Sequence, residues 1–164
     1  MKRIIVIGCP GSGKSTVSRA LHNKTGIPLY HLDMMYWNAD KTTVEKSVFL
    51  ERLSAVLEKD EWIIDGNYGS TMELRMAVCD TVFLFDLPVE VCLDGAISRI
   101  GKGRYDIPWI ETELDLSFMR EIEEFPNKNL PTIYALIDKY KDGKTVVVFK
   151  SREEADAFLN GESL

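Results

Sequence analysis

A glycine-rich segment near the amino end of the chain has the residue types and the spacing of a phosphate-binding loop. The segment reads Gly8-Cys9-Pro10-Gly11-Ser12-Gly13-Lys14-Ser15 and fits the pattern G-x-x-x-x-G-K-[ST] at every fixed position. Glycines let the backbone turn its N–H groups inward around an anion. In such a loop Lys14 would reach the β- and γ-phosphates of a nucleotide, and the Ser15 hydroxyl would bind Mg²⁺. The segment therefore predicts nucleotide binding.

Carboxylates at the ends of three predicted strands are the candidates for metal binding and proton transfer. These residues are Asp33, Asp65 and Asp86. In open α/β sheets ligands bind beyond the carboxyl ends of the strands, so the three side chains would border one cleft. We expect Asp65 to join the water shell of Mg²⁺, with a cap on its strand as the alternative. We expect Asp33 to orient an acceptor hydroxyl or to take its proton, whereas Asp86 better fits an anchor for a helix or loop.

Arginines outside the predicted strands form a second group of candidates. Phosphoryl transfer is catalysed mostly by positioning and charge stabilisation, which guanidinium groups supply. Arg99 and Arg104 flank Gly101-Lys102-Gly103, the predicted hinge of a lid segment over residues 100–127. The alternative for Arg99 is a solvated helix end. Arg120 is a further catalytic candidate, with an ion pair to its glutamate neighbours on the helix surface as the alternative.

An apolar group, Met34-Met35-Tyr36-Trp37, follows Asp33 directly. It is typical either of core beneath a mobile segment or of an apolar wall for an acceptor ring. In the second interpretation Trp37 contacts the substrate.

The positions of all these residues depend on strands and helices that alternate along the chain, which is the pattern of a parallel α/β sheet. Strands are predicted at residues 3–7, 27–33, 62–65, 81–86 and 145–149. Helices are predicted at 15–25, from 42 or 43 to 57, and at 88–100, 114–125, 131–141 and 151–160. Pro126 is expected to stop the helix at 114–125. The pattern predicts one α/β domain over residues 1–164.

Composition limits the classes of function. The 164 residues have a formal net charge of −6, which argues against non-specific nucleic-acid binding without excluding a local basic patch. No apolar run approaches the roughly 20 residues of a membrane span. The cysteines, Cys9, Cys79 and Cys92, are odd in number and lack metal-binding spacing, which is typical of reduced thiols in the cytoplasm. We expect Cys9 to be a small filler in the loop, with an activated thiol as the alternative.

Four blocks of the chain together resemble the bacterial DNA topology modulation protein (FlaR-type) family. They are Gly8-Cys9-Pro10-Gly11-Ser12-Gly13-Lys14-Ser15-Thr16, Tyr30-His31-Leu32-Asp33, Trp62-Ile63-Ile64-Asp65-Gly66-Asn67-Tyr68 and Asp80-Thr81-Val82-Phe83-Leu84-Phe85-Asp86-Leu87-Pro88. That family is similar in fold to adenylate kinase and shikimate kinase. The resemblance implies a three-layer α/β fold of the P-loop kinase type, with a five-stranded parallel sheet in the order 2-3-1-4-5 and a small helical lid. It also implies ATP rather than GTP, and Asn127-Lys128-Asn129-Leu130 departs from the guanine-binding pattern Asn-Lys-x-Asp at its last position.

The same resemblance implies roles for individual residues. Phosphate and Mg²⁺ contacts carry over to Gly11, Gly13, Lys14, Ser15, Thr16 and Asp65. Adenylate kinases carry Asp-Gly-Phe-Pro-Arg after the third strand, and here Asp65 and Gly66 match the first two positions. Arg75 is the nearest substitute for the arginine, so Gly66 and Arg75 become candidates for the substrate site. Gly95 stands where those kinases have an adenine-stacking arginine, and Arg99 matches a phosphate-contacting one.

These features predict an enzyme that binds MgATP and passes the γ-phosphoryl group to a small acceptor near Asp33 and Trp37. Two alternatives stay open. One is an ATP hydrolase that acts as a conformational switch with a protein or DNA partner, and the other is a nucleotide-binding regulator without turnover.

Overall fold

Five short strands form the centre of the protein in the computed structural model, which describes residues 1–113 and 115–161. They are β1 (Arg3–Gly8), β2 (Leu29–His31), β3 (Trp62–Asp65), β4 (Thr81–Phe85) and β5 (Thr145–Phe149). All pairs are parallel and the order is β2-β3-β1-β4-β5, so the predicted three-layer α/β fold and its strand order are confirmed. Nearly every residue of β1, β3 and β4 is buried, which explains why these strands are continuous apolar runs.

The described residues also form eight helices. They are α1 (Lys14–Thr25), α2 (Leu32–Tyr36), α3 (Lys46–Leu57), α4 (Gly69–Val78), α5 (Val89–Ile97), α6 (Leu116–Lys128), α7 (Leu130–Tyr140) and α8 (Arg152–Asn160). None of the helices within these described ranges combines the length and the apolar character needed to cross a membrane.

The second strand is shorter than predicted. Its pairing with β3 ends at His31, opposite Asp65, and the chain then turns directly into α2. Asp33 therefore lies in the first turn of a helix and not at a strand end. Trp37 ends α2 and forms an antiparallel bridge with Thr43. Because that bridge holds the intervening turn in place, α3 begins at Lys46 and not near residue 42.

The helix predicted within the lid segment differs at both ends. Asp115 caps α6 by accepting a hydrogen bond from the Ser117 N–H at 2.8 Å, and Leu114, which the prediction included, lies outside the described residues. The predicted stop at Pro126 is wrong, since α6 continues to Lys128. A proline in a helix frees the carbonyl four residues earlier, here that of Ile122. The Cys9 thiol lies 3.9 Å from that carbonyl oxygen and donates to it, which partly replaces the lost bond.

Smaller differences occur at two other boundaries. β4 ends at Phe85, one residue before Asp86, and α5 ends at Ile97 instead of residue 100. The start of α8 agrees with its prediction, because the Ser151 hydroxyl accepts a hydrogen bond from the Glu154 N–H at 3.1 Å.

Candidate active site

The connection between β1 and α1 depends on its glycines for its shape. Gly8 and Gly11 have φ angles of +136° and +81°. A Cβ atom at Gly11 would lie 2.0 Å from the Cys92 carbonyl oxygen, and one at Gly8 would lie 2.3 Å from that of Phe85. Asn67 holds the loop from the other side, accepting from the Gly8 N–H at 3.0 Å and donating to the Gly8 carbonyl at 2.8 Å. The loop is thus enclosed by the backbone of Phe85 and Cys92 and by the side chain of Asn67.

Lys14 lies over this loop, as its motif predicts. Its ammonium nitrogen Nζ donates to the Cys9 carbonyl oxygen at 2.8 Å. Burial lowers the pKa of Lys14, and the Asp65 carboxylate opposes that shift. The neighbouring Cys92 thiol and burial raise the pKa of Cys9, so Cys9 is a thiol that fills space and not an activated thiolate.

Asp65 ends β3 beside the loop with only 4% of its surface exposed. Its carboxylate oxygen Oδ2 lies 2.8 Å from His31 Nδ1. The other oxygen, Oδ1, is buried and has no hydrogen-bond partner among the described residues. Such an oxygen is costly unless a water molecule or an ion completes it. Ser15 and Asp65 border one cavity beside the loop. The two residues therefore fit a hydrated Mg²⁺ between them.

Asp106 contacts Ser15, the predicted ligand of Mg²⁺, although the sequence did not single it out. Its carboxylate accepts a hydrogen bond from Ser15 Oγ at 2.7 Å, and Arg104 donates to both of its oxygens. Burial alone would raise the pKa of Asp106, but the hydrogen bonds from Arg104 and Ser15 bring it down to about 2. Asp106 therefore ties the lid segment to the phosphate loop as a carboxylate. Its one signal in the sequence was the position two residues after Arg104.

Glu111 brings together the two arginines that flank the predicted hinge. Arg104 Nη1 donates to Glu111 Oε2 at 2.8 Å, and Arg99 Nε lies 3.8 Å from the same oxygen. Burial and the Arg104 charge lower the pKa of Arg99. Both arginines line the cavities that the loop also borders, and their catalytic role stays a prediction.

Asp33 lies across the cleft in α2. Its carboxylate oxygen Oδ1 accepts a hydrogen bond from Tyr68 Oη at 2.6 Å. Burial raises the pKa of Asp33, and the hydrogen bond from Tyr68 offsets part of that shift. A carboxylate with a raised pKa is a better proton acceptor near neutral pH.

Three predicted residues lie apart from this group. Arg75 is fully buried in α4 and donates to the carbonyl oxygens of residues 66–68, so it supports that loop from behind. Arg120 is exposed on α6 and lines neither of the two cavities of the site. Asp86 accepts hydrogen bonds from Tyr134 and Lys150, which agrees with an anchoring role.

Two cavities meet at the phosphate loop. The smaller has a volume of about 430 Å³ and lies between the loop, α5 and α8. The larger has a volume of about 1120 Å³ and lies between the loop, α2, the connection after β3 and the lid segment. The residues that border both are Gly11, Lys14, Ser15, Arg99, Arg104 and Asp106. Of the other predicted residues, Ser12, Gly13 and Thr16 line the smaller cavity, and Pro10, Asp33, Trp37, Asp65 and Gly66 line the larger.

Aromatic rings form one wall of the larger cavity. The rings of Trp37 and Trp109 meet edge to face, with centroids 5.5 Å apart. The ring centroid of Tyr36 lies 5.3 Å from that of Trp37 and 5.1 Å from that of Tyr68. Trp109 of the lid segment was not predicted from the sequence. It completes the apolar wall that the sequence predicted around Trp37.

Arg152 is another residue that the sequence did not single out. Its Nη2 atom donates to the carbonyl oxygens of Gly11 and Val91 at 2.9 and 3.0 Å. A Cβ atom at Gly95 would lie 2.0 Å from the Gly11 carbonyl oxygen and 2.3 Å from Arg152 Nη2. The position where adenylate kinases have an arginine is therefore closed to a side chain here, and a guanidinium from α8 occupies the adjoining space.

Comparison with known proteins bears on the architecture. No protein-family model and no curated protein matches the sequence. An unliganded sugar kinase from Janibacter sp. HTCC2649 is similar in structure with a TM-score of 0.57 and 13% identity, over 98% of this chain and 91% of that chain. A shikimate kinase from Bacteroides thetaiotaomicron is similar with a TM-score of 0.53 and 18% identity, over 98% of this chain and 95% of that chain. At these identities the likeness concerns the fold, and the chain has the three-layer α/β fold of P-loop kinases.

Proposed function

We propose that this protein is a kinase that binds MgATP in the smaller cavity and transfers the γ-phosphoryl group to a small acceptor in the larger one. The observation that carries this proposal is the boundary between the cavities, where Lys14, Arg99 and Arg104 border both. During transfer, negative charge is spread over the phosphoryl oxygens, and cationic groups placed at that point stabilise it. The fold shared with a sugar kinase and a shikimate kinase supports the same conclusion.

The residues of the chain account for each part of the reaction. The acceptor hydroxyl would lie near Asp33, whose carboxylate takes the proton as the acceptor oxygen bonds to the γ-phosphorus. The bond from that phosphorus to the β–γ bridging oxygen breaks, and its electron pair leaves with ADP. Lys14 and the N–H groups of the loop would hold the phosphates, while Arg99 and Arg104 offset the charge of the transferring group.

Three further residues would hold Mg²⁺. The Ser15 hydroxyl would bind it, with Asp65 and Asp106 accepting hydrogen bonds from its water molecules. This assignment is supported by Asp65 Oδ1, a buried oxygen without a partner in the described part of the chain, and by the contact of Asp106 with Ser15. Mg²⁺ supplies partial neutralisation of the phosphate charge.

The adenine end of ATP would lie beside Gly95 and Arg152, because both line the smaller cavity. Cys9, Cys79 and Cys92 are unpaired and buried, which supports the predicted cytoplasmic location. Membership of the DNA topology modulation family stays a prediction.

The test is a measurement of ADP release from MgATP with and without candidate acceptors, namely sugars, nucleosides, nucleotides and small acids. A kinase releases ADP in proportion to the acceptor consumed and forms a phosphorylated product, which mass spectrometry detects. If no acceptor in any of these classes raises ADP release above the rate with MgATP alone, the proposal fails.

The alternative, an ATP-hydrolysing switch, is favoured by one contact. Asp106 of the lid segment binds Ser15, which is also the predicted ligand of Mg²⁺, so metal and lid would compete for or share one hydroxyl. A switch would release ADP at the same rate with or without acceptors. Its lid would also respond to hydrolysis, which a change in the fluorescence of Trp109 would report.

A further inference from the structure

The larger cavity offers little positive charge to an anionic acceptor. Its basic side chains are Lys14, Lys41, Arg99 and Arg104. Lys14 belongs to the phosphate loop, and Arg104 is bound by Asp106 and Glu111. Arg99 Nε lies 3.8 Å from Glu111 without a hydrogen-bond partner among the described residues, but Arg99 also borders the smaller cavity, where the proposed function places the γ-phosphoryl group. Lys41 is exposed on the turn between α2 and α3, so solvent screens its charge to the same degree as the charges of the exposed carboxylates Glu113, Asp115 and Glu121.

The arginine that could have received a phosphate or carboxylate after β3 is already engaged. Arg75 is fully buried, and its guanidinium donates to the carbonyl oxygens of Gly66, Asn67 and Tyr68. Burial lowers the pKa of Arg75 to about 10, so it stays charged at neutral pH. The guanidinium of Arg75 therefore binds backbone carbonyl groups and is not available to an anionic ligand.

Carboxylates are more numerous than cations along the same wall. Asp33, Glu113, Asp115 and Glu121 line the cavity in addition to Asp65 and the two partners of Arg104. Charges of one sign along a concave surface concentrate their field inside it. Asp65 adds an oxygen that is buried and unpartnered among the described residues. The cavity is therefore unfavourable for a phosphate or carboxylate group.

What the cavity does offer is ring surface and hydrogen-bonding groups. Trp37 and Trp109 line the cavity with aromatic faces and edges, against which the apolar face of a ligand ring can pack. The Asp33 carboxylate and the Tyr68 hydroxyl, 2.6 Å apart, can bind a neighbouring hydroxyl group.

We infer that the acceptor is an uncharged ring compound with hydroxyl groups, a sugar or a nucleoside, and that its phosphorylated or carboxylated forms are rejected. The inference depends on the proposed function for the place of the acceptor, but it makes a claim about binding that is tested without ATP.

The experiment compares matched pairs of ligands that differ in one anionic group. The pairs are a nucleoside and its 5′-monophosphate, and a hexose and its 6-phosphate. Each is titrated into the protein by calorimetry and followed by tryptophan fluorescence. We expect the uncharged member of one pair to bind at least about tenfold more tightly than its charged partner, since like charges in a partly desolvated site repel. The pair that binds distinguishes a sugar from a nucleoside.

Two results would overturn the inference. One is a charged member that binds as tightly as its uncharged partner or more tightly, and the other is that no member of either pair binds. Binding of an uncharged member without acceptor-dependent ADP release contradicts the proposed kinase activity and leaves the inference on binding intact.

A charge-reversal variant tests the electrostatic argument. Glu113→Lys changes an exposed residue that lines the cavity, and Glu123→Lys makes the same change on the exposed face of α6, away from both cavities. We expect Glu113→Lys to improve the affinity of the charged member relative to its uncharged partner by about threefold or more, and Glu123→Lys to leave the ratio unchanged. Equal effects of the two variants would show that the charge of the cavity wall does not decide selection.

Discussion

Asp33 and Asp65 have the same side chain in one cleft, yet their surroundings give them different chemistry. Asp33 is half-buried beside the neutral hydroxyl of Tyr68, and its removal from water raises its pKa. Asp65 binds His31 with one oxygen and leaves the other without a partner among the described residues. The first arrangement suits a proton acceptor and the second suits a ligand to metal-bound water.

Replacing Asp33 tests the first of these roles. Asp33→Asn should leave ATP affinity unchanged and lower acceptor phosphorylation by about 10²-fold or more, because the amide cannot take the proton. Calorimetry with MgATP and product formation are the two measurements, and Asp60→Asn, on the exposed surface, is the control. A loss of ATP affinity would contradict the placement of Asp33 on the acceptor side.

The pH dependence of the reaction tests the same residue in the unmodified protein. Only ionised Asp33 can accept a proton, and its pKa is raised above the ordinary 3.8. The value of kcat/KM should therefore fall as the pH decreases through this raised pKa. A rate that stays constant down to pH values near the ordinary pKa would exclude Asp33 as the base.

In the proposed function, phosphate binding depends most on Lys14. Lys14→Ala should lower ATP turnover by about 10²-fold or more, the order of effect for one lost charge-stabilising contact. Circular dichroism should show an intact fold, and Lys46→Ala, at the exposed start of α3, should keep full turnover. Unchanged turnover in Lys14→Ala would show that the ammonium is not at the phosphates.

Among the elements, the part of the lid segment that precedes α6 is attached to the site by side chains, whereas α6 itself packs into the core through Ile122 and Phe125. Asp106 binds Ser15, Glu111 joins Arg99 and Arg104, and Trp109 packs against Trp37. Residues 98–113 form no helix or strand, so these side chains join the segment to the rest of the site, and a backbone hydrogen bond from the Gly101 N–H to the Glu111 carbonyl oxygen at 2.6 Å closes the segment on itself. Closure of the cleft therefore depends on charged groups that also face the phosphate site.

Asp106→Asn tests this attachment. The amide keeps the size of the carboxylate but loses its charge, so the bonds from Arg104 and Ser15 weaken. We expect faster hydrogen exchange of the backbone amides in residues 100–113, together with a changed Mg²⁺ concentration for half-maximal ATP binding. Unchanged exchange rates in this segment would contradict the role of Asp106 in holding the lid.

The difference in stability between the wild type and Asp106→Asn should depend on pH. The folded-state pKa of Asp106, about 2, lies below the ordinary 3.8, so its stabilising contribution is complete at neutral pH and is lost as the pH falls from about 4 towards 2. The free energy of unfolding should differ between wild type and Asp106→Asn by at most about 2 kcal/mol at pH 7. Urea titrations at pH 7 and pH 3 should show this difference shrinking at the lower pH.

At the scale of the whole molecule, the phosphate loop is supported by residues from distant parts of the chain. Arg152 of α8 donates to the carbonyl of Gly11, and Asn67 binds both backbone groups of Gly8. Gly95 of α5 lets the helix backbone approach the loop. The loop is therefore a product of the complete fold and not of its own sequence alone.

Gly95→Ala tests this support. The added Cβ would lie 2.0 Å from the Gly11 carbonyl oxygen and 2.3 Å from Arg152 Nη2, so the loop or α8 must shift. We expect a loss of about 1–3 kcal/mol in the free energy of unfolding, together with weaker ATP binding. Gly69→Ala is the matched control, because a Cβ there meets nothing within 4 Å. Equal stability of the two variants in urea titrations would contradict the packing of α5 on the loop.

The sequence by itself determined the parts that depend on local chemistry. The apolar runs of β1, β3 and β4 predicted a parallel sheet, and the spacing of Gly8, Gly13 and Lys14 predicted the phosphate loop. Asp33 and Arg99 were also found, because polar groups next to predicted strands and hinges fall at the ligand-binding edge of such a sheet.

Only the tertiary structure decided which distant side chains complete the site. Asp106 and Trp109 come from a segment without regular structure, and Arg152 comes from the last helix, so no local pattern marked them. Arginine is a residue type that often binds anionic ligands, yet the partners of Arg75 are backbone carbonyls, which every sequence contains. Pro126 lies within α6, and the carbonyl that the proline frees is contacted by the thiol of Cys9, more than a hundred positions earlier. Contacts between residues far apart in the chain are set by packing, and packing is not encoded in any short stretch of sequence.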